Sequence, residues 1–291
     1  VERPRLAVGV VGAGRVGSAL AVALSRAGHR IAAVSAISDA SRRRAADRLP
    51  GVPIRPADDV VRDADLVLLT VPDDALAEVV NGLAEVGAFR RGQFVVHTSG
   101  RHGLEVLEPA MRAGALPLAL HPVMTFAGGA EDVERLAGVS FGVTAPEELR
   151  AAGEALVVEM GGEPVWVPEE ARVLYHAALA WGSNYLVTLV TTAMDLLRAT
   201  GAERPELLLA PLLGASLDNA LRRGDQALTG PVSRGDAGTV TAHLRTLRET
   251  APEVVPAYVA LARLTADRAL RDGRLDPQRA EALLDALAGQ Q

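Results

Sequence analysis

The sequence predicts an α/β chain in which a doubly wound parallel sheet is followed by an all-helical second domain. Three observations lead there. Glycines spaced G-x-G-x-x-G separate an apolar strand-like run from an amphipathic helical run; short apolar runs then alternate with helical stretches; and from Glu169 onward strand signals give way to alanine- and leucine-rich helical segments. The expected domains are residues 1–168 and 169–291, with the boundary at Pro168-Glu169.

The first strand is the run Leu6-Ala7-Val8-Gly9-Val10-Val11, and the first helix carries Val16, Leu20, Val22, Ala23 and Leu24 on an apolar stripe that stops at Ala27-Gly28. A second strand follows from Arg30 to Val34. In such a βαβ unit Gly12 permits the tight turn, Gly14 lets a pyrophosphate approach the backbone, and Gly17 lets helix and strand pack closely. The phosphates then meet the unpaired N–H groups of the helix start. Residues 12–17 (Gly12, Ala13, Gly14, Arg15, Val16 and Gly17) are therefore candidate cofactor contacts in a Rossmann-type dinucleotide domain, the alternative being a purely structural glycine turn.

The end of the second strand discriminates between cofactors, because a carboxylate there accepts from the ribose 2′-hydroxyl and repels a 2′-phosphate. Ser35-Ala36-Ile37-Ser38 occupies that place, and Arg42, Arg43 and Arg44 follow. Ser35, Ser38, Arg42 and Arg43 favour NADP, with NAD as the alternative should Asp39 reach the ribose. A solvated helix face is the competing account of the arginines.

Later strands are read at Ala64 to Pro72, where the run ends in a turn, Phe94 to His97, Leu116 to Leu120, Val139 to Val143 and Pro164 to Val167. Ligands of doubly wound sheets gather at the carboxyl ends of strands, which singles out three loops. Thr70-Val71-Pro72-Asp73-Asp74 contributes Val71 and Pro72 to the cofactor site, with Asp73 or Asp74 as an N-cap of the next helix. His97-Thr98-Ser99-Gly100 and His121-Pro122-Val123-Met124-Thr125-Phe126 bring one histidine, His121, with Ser99 and Thr125 to the same edge, where they suit proton transfer and carbonyl orientation. For His121 a hydrogen-bonded loop histidine is the equal alternative.

In the helical domain the uncharged stretch Val173 to Met194 is long enough to span a bilayer, but its His176, Ser183, Asn184 and threonines mark it as a buried central helix. Gly230-Pro231-Val232-Ser233-Arg234-Gly235-Asp236 precedes another helix, with Asp236 suited to its N-cap and Arg234 either solvated or paired with a substrate carboxylate. A helical domain this apolar is expected to form a homodimer.

Composition narrows the chemistry. The chain has 291 residues, 49% hydrophobic and 23% charged, with 30 basic against 36 acidic residues for a net charge of −6, which argues against a nucleic-acid partner. It reads as cytoplasmic, with no basic leader ahead of its first apolar run. There is no cysteine, and all the basic residues counted are arginine. Thiol nucleophiles, cysteine metal sites and lysine Schiff bases are thereby excluded, and no metal site is assigned. A proton donor must come from the six histidines, the three tyrosines, a carboxyl group or water.

The glycine fingerprint, Thr70-Val71-Pro72-Asp73, His97-Thr98-Ser99-Gly100, His121-Pro122-Val123-Met124-Thr125-Phe126, Tyr175-His176, Ser183-Asn184-Tyr185, Leu228-Thr229-Gly230-Pro231 and Arg234-Gly235-Asp236, in this order, resemble one family of Rossmann-like oxidoreductases with a C-terminal domain of unknown function. The layout is more distantly similar to ketopantoate reductases, pyrroline-5-carboxylate reductases, prephenate dehydrogenases and deazaflavin-linked NADP reductases. That resemblance implies a helical domain of the 6-phosphogluconate-dehydrogenase type. It also implies a site. Ser99-Gly100 stands where ketopantoate reductases have Asn-Gly, and His121-Pro122 resembles the His-Pro of prephenate dehydrogenases. His176, Ala180 and Asn184 match the places of a catalytic lysine and two asparagines in ketopantoate reductases, so the lysine is replaced and one asparagine is lost. For His176 a core histidine bonded to a backbone carbonyl is the alternative reading. The implied catalytic set is His121, His176, Ser99 and Asn184, with Thr125 and Arg234 toward the substrate. The expected activity is NADP-dependent hydride transfer to a small carbonyl such as a ketopantoate-like 2-oxo acid. An imine reductase, or a nucleotide-sensing pseudoenzyme, are the alternatives.

Overall fold

The structure, a computed structural model, describes residues 5–288; the outer limits of the two expected domains, residues 1 and 291, lie outside the described residues. The chain divides into two compact units, the first ending at Trp181 and the second beginning at Gly182.

The first unit is built on a seven-stranded sheet. In chain order it runs β1 (Ala7–Val11), α1 (Arg15–Arg26), β2 (Arg30–Ser35), α2 (Asp39–Arg48), α3 (Ala57–Arg62), β3 (Leu66–Leu69), α4 (Leu76–Glu85), β4 (Phe94–His97), α5 (Glu108–Arg112), β5 (Leu116–Pro122), α6 (Glu131–Arg135), β6 (Ser140–Thr144), α7 (Arg150–Glu159) and β7 (Glu163–Trp166). The strand order is β2-β1-β3-β4-β5-β6-β7. The central strands read as unbroken apolar runs because both sheet faces are covered: Val8, Val10, Leu66 and Leu68 turn to one buried layer and Val11, Val67, Leu69 and Val95 to the other.

Three expectations about this unit change. The sheet is not wholly parallel, since β6 runs antiparallel to β5. Strand direction has no imprint on hydrophobic periodicity, so the sequence could not show it. β5 extends to Pro122, which places His121 inside the strand, paired with Gly142, rather than in a loop after it. And neither Asp73 nor Asp74 caps a helix: α4 begins at Leu76 with Ala75 at the cap position and no side-chain bond.

From Arg172 a single helix, α8 (Arg172–Ala199), runs on through the division between the units, so the boundary falls inside a helix rather than at Pro168-Glu169. The second unit continues with α9 (Pro205–Arg223), α10 (Ala237–Thr250), α11 (Val255–Arg271) and α12 (Pro277–Ala288). Its core is small. Val240, Leu244, Ala262, Ala266, Leu283 and Leu287, from α10, α11 and α12, close on one another. Asp236 is the N-cap of α10, accepting from the Thr239 amide at 3.0 Å. The expected burial of Val173 to Met194 is not met: of α8 only Arg172 is buried, while Val173, Leu174 and Val187 are 71%, 74% and 63% exposed. Hydropathy marks a face that avoids water without saying whether the same chain supplies its cover. No helix among the described residues is long and apolar enough to cross a membrane.

Candidate active site

The fingerprint is a fitted cradle. Gly12 has φ +96°, a left-handed conformation that a side chain would strain. A methyl group on Gly17 would overlap the Gly12 carbonyl and the Thr70 hydroxyl, and that hydroxyl donates to the Gly12 carbonyl at 2.7 Å. A methyl on Gly14 would meet only the Gly12 carbonyl, at an ordinary 3.9 Å. Ala13 is fully buried and donates its amide to the Ser35 carbonyl at 2.8 Å, so it serves the turn itself. Val16 packs partly into the core, and Arg15 lies exposed beside Gly128.

A cavity of about 890 Å³ opens at the ends of β1, β2 and β3, bordered by Gly12, Gly14, Ser35, Ser38, Arg42, Val71 and Pro72 among the expected residues. Ile37, which is 93% exposed, and Ile54 add apolar walls, and Arg55, whose guanidinium pairs with Asp63 at 2.9 Å, also borders the cavity, which the sequence did not signal. Arg55 reaches the site because its amide donates to the Val34 carbonyl at 2.9 Å beyond the end of α2, a long-range pairing. One expectation is corrected. Arg43 does not border the cavity, because successive helical residues point about 100° apart and Arg42 already faces it. Ser35 is 8% exposed and still borders the cavity; its hydroxyl accepts from the Gly12 amide at 3.3 Å, which also holds the turn. Ser38 caps α2 through the Ser41 amide and still lines the cavity, as Asp39 does not.

The second cluster lies at the carboxyl ends of β4 and β5 of the same sheet. His121 Nδ1 stands 2.8 Å from the Tyr175 hydroxyl, and the His121 and His176 rings meet edge to face at 6.2 Å. Gly100 makes room for both: a methyl there would fall 3.0 Å from His121 Nε2 and 2.6 Å from His176 Cδ2. The residues named from sequence as His121, His176 and the Ser99-Gly100 turn are thus brought together. Ser99 is buried, its hydroxyl accepting from the His102 amide at 3.2 Å. Thr125 is exposed in the loop beyond β5, and Asn184 and Arg234 are exposed in the second unit.

Under the cluster sits Arg172, 1% exposed. Its guanidinium donates to the Thr144 hydroxyl at 2.7 Å and to the carbonyls of Ala119 at 2.9 Å, Gly142 at 3.0 Å and Ser99 at 3.2 Å. All four acceptors are neutral, so its charge is solvated by dipoles rather than by a carboxylate. His97 is fully buried beside it; Nε2 donates to the Gly103 carbonyl at 2.8 Å and Nδ1 accepts from the Ser99 amide at 3.2 Å. Burial, opposed by the Gly103 bond, pushes the His97 pKa down to about 3, and burial together with the Arg172 charge pushes that of His121 down to about 4. Both rings are neutral at pH 7. Burial raises the Tyr175 phenol above its ordinary value, with Arg172 pulling the other way.

Sequence reasoning missed Arg172, His97 and the role of Tyr175. Tyr175 had a signal in its neighbour His176. Arg172 had none, being one arginine among many whose four partners lie between 28 and 73 residues away.

Against known families, residues 1–122 match a Rossmann-like domain and residues 139–265 match the domain of unknown function DUF2520. The match to DUF2520 takes in β6, Arg172, Tyr175 and His176, so the cluster is assembled from both. Over 164 residues the chain is 32% identical to a glycerol-3-phosphate dehydrogenase [NAD(P)+] of Rhodopseudomonas palustris, covering 53% of this chain and 49% of that one. It spans about half the length of the curated relatives it matches. Among solved structures, a candidate NADP oxidoreductase from Bacteroides fragilis superimposes with a TM-score of 0.75 at 24% identity, over 90% of this chain and 98% of that one. A reductive aminase from Aspergillus terreus, solved with NADPH and ethyl levulinate, does so with 0.66 at 20% identity, over 97% and 99%. These likenesses show the fold.

Proposed function

We propose that the chain is an NADP-dependent oxidoreductase that reduces a small carbonyl, with a ketopantoate-like 2-oxo acid as its substrate. The observation that carries this reading is the placement of the His121, Tyr175 and His176 cluster at the same carboxyl edge of the sheet as the fingerprint cavity. The glycine cradle and α1 would hold the pyrophosphate, Ile37 and Ile54 the adenine, and Arg42 with Arg55 the 2′-phosphate that makes NADP preferred to NAD. Bound NADPH supplies the hydride at its nicotinamide. His121 or His176 delivers the proton to the developing alkoxide, the permanent charge of Arg172 favours an anionic substrate, and Ser99 and Thr125 are the proposed orienting groups.

A second reading, imine reduction of the pyrroline-5-carboxylate type, draws on one observation: His121 is neutral at pH 7, and an iminium substrate brings its own proton. Of the proteins compared above, the reductive aminase carries a name that points to C=N chemistry. NADPH consumption with a panel of 2-oxo acids and cyclic imines separates the two. Carbonyl reduction lost by about 10²–10⁴-fold in His121→Ala or His176→Ala, with NADP binding kept, supports the first reading. Imine turnover indifferent to both variants supports the second. NADP binding without turnover of any of them would make the chain a nucleotide sensor.

The homodimer and the cytoplasmic setting belong to the same proposal. Support for the dimer comes from α9, whose Leu207, Leu208, Leu212, Leu217 and Leu221 are between 53% and 80% exposed, and whose main neighbour within the chain is the short turn Gly224–Ala227 after it. Helices draw most of their stability from packing an apolar face, and a second copy of the chain is the cover we assign to this one.

A further inference from the structure

We propose that Tyr175 and His121 form a proton relay, in which Tyr175 holds His121 in its Nε2–H form and replaces the proton that His121 gives to the substrate oxygen. The inference rests on the carbonyl reductase reading.

The geometry supplies both ends of the relay. The Tyr175 hydroxyl lies 2.8 Å from His121 Nδ1, which leaves Nε2 as the ring's other working atom. Nε2 faces the gap kept open by Gly100, against His176. At the far end a methyl on Gly142 would overlap the Tyr175 hydroxyl, so glycine is what admits the phenol over the His121–Gly142 strand pair. Two glycines thus clear the two ends of one path.

A relay also answers a chemical difficulty. The groups around His121 are Arg172, Tyr175 and His176 on α8, His97 on β4 and Asp73 after β3. Of these only Asp73 favours the imidazolium, against burial and the Arg172 and His176 charges. Imidazolium is therefore scarce at neutral pH, and His121 cannot act as a simple store of acid. As a neutral ring it can pass a proton on only if it gains one in the same step. In that step the hydride from NADPH forms the new C–H bond, the carbonyl π pair moves to oxygen, the oxygen takes the Nε2 proton, and Nδ1 takes the phenolic proton. The products are the alcohol, NADP⁺, a neutral His121 and a tyrosinate, which water reprotonates. The Arg172 guanidinium, 5.8 Å from the Tyr175 ring centre, faces that tyrosinate with a charge already in place. Tyr175 and Arg172 act through His121 and are positioning residues.

The test uses the whole chain, first without cofactor. Long-range ¹⁵N–¹H spectra of the histidine rings report each tautomer directly. His121 is expected as neutral Nε2–H from pH 8 to pH 5.5, and as a mixture of tautomers in Tyr175→Phe. An Nδ1–H tautomer in the wild type, or titration near pH 6.5, overturns the relay. With NADPH and a reducible 2-oxo acid, Tyr175→Phe should lower kcat by about tenfold or more with KM within about twofold, part of the effect of removing a general acid. An unchanged kcat also overturns the relay and leaves the reductase reading standing. If the wild type reduces no carbonyl at all, the reductase reading fails, and the relay's last transfer fails with it, whatever tautomer the spectra show.

Discussion

The two units of this chain satisfy their apolar residues in opposite ways. In the first, both faces of the sheet are covered, and even its buried charged and polar groups, Arg172 and His97, find acceptors within a few ångström. In the second, three helices close a small core while the leucines of α9 face outward. A high apolar content therefore means two things in one sequence: a core where the chain folds back on itself, and an exposed apolar face where it does not.

The largest effect expected from this contrast is on association. Leu208→Asp with Leu212→Asp places two carboxylates on the exposed face of α9, each costing several kcal/mol if that face is buried by a second copy. We expect light scattering to move from dimer to monomer at micromolar concentration, with NADP affinity, a property of the first unit, unchanged. A wild-type chain that is itself monomeric would end the contrast.

A smaller effect separates the units by pH. The folded-state pKa of His121 is depressed to about 4, so the unfolded chain binds the extra proton first as pH falls. Stability from this group is full above pH 6.5 and is lost toward pH 4, by about 3 kcal/mol over that window. His97 adds a loss of the same sign. Both tryptophans, Trp166 and Trp181, lie in the first unit, so fluorescence-detected urea unfolding reports on it. Its midpoint should drop between pH 7 and pH 4.5; a flat profile would mean the rings are protonated without penalty.

The smallest effect tests the cavity. Arg42→Ala should weaken NADP by about tenfold, the loss of one charge-assisted contact, and leave NAD binding unchanged. Arg43→Ala should change neither. Equal loss of both nucleotides in Arg42→Ala would reduce that residue to a support of the fold, through its 3.3 Å bond to the Ala36 carbonyl.

What was legible follows from range. The strands, the fingerprint and the Asp236 cap are written within a few residues each, and they stand where the sequence placed them, give or take an end. His121, His176 and Ser99-Gly100 were readable as residues at strand ends or through family resemblance, though not as one cluster. The antiparallel β6, the approach of Tyr175 to a histidine 54 residues away, and Arg55 at the cavity arise only once strands have paired. The exposed course of α8 was unreadable for another reason: local hydropathy is the same for a helix covered by its own chain and for one that is not.

A chain without lysine invites the view that its arginines are a habit of composition, exchangeable at will. Arg172 marks where that freedom ends. On the surface a lysine would carry the same charge into water, but at this position an ammonium has three donors where the guanidinium serves four acceptors in a fixed fork, and an amine buried so deeply can shed its proton. An exposed pair such as Arg112 with Glu108 is worth little by comparison. Replacing Arg172 would remove a fixed charge that four neutral acceptors surround.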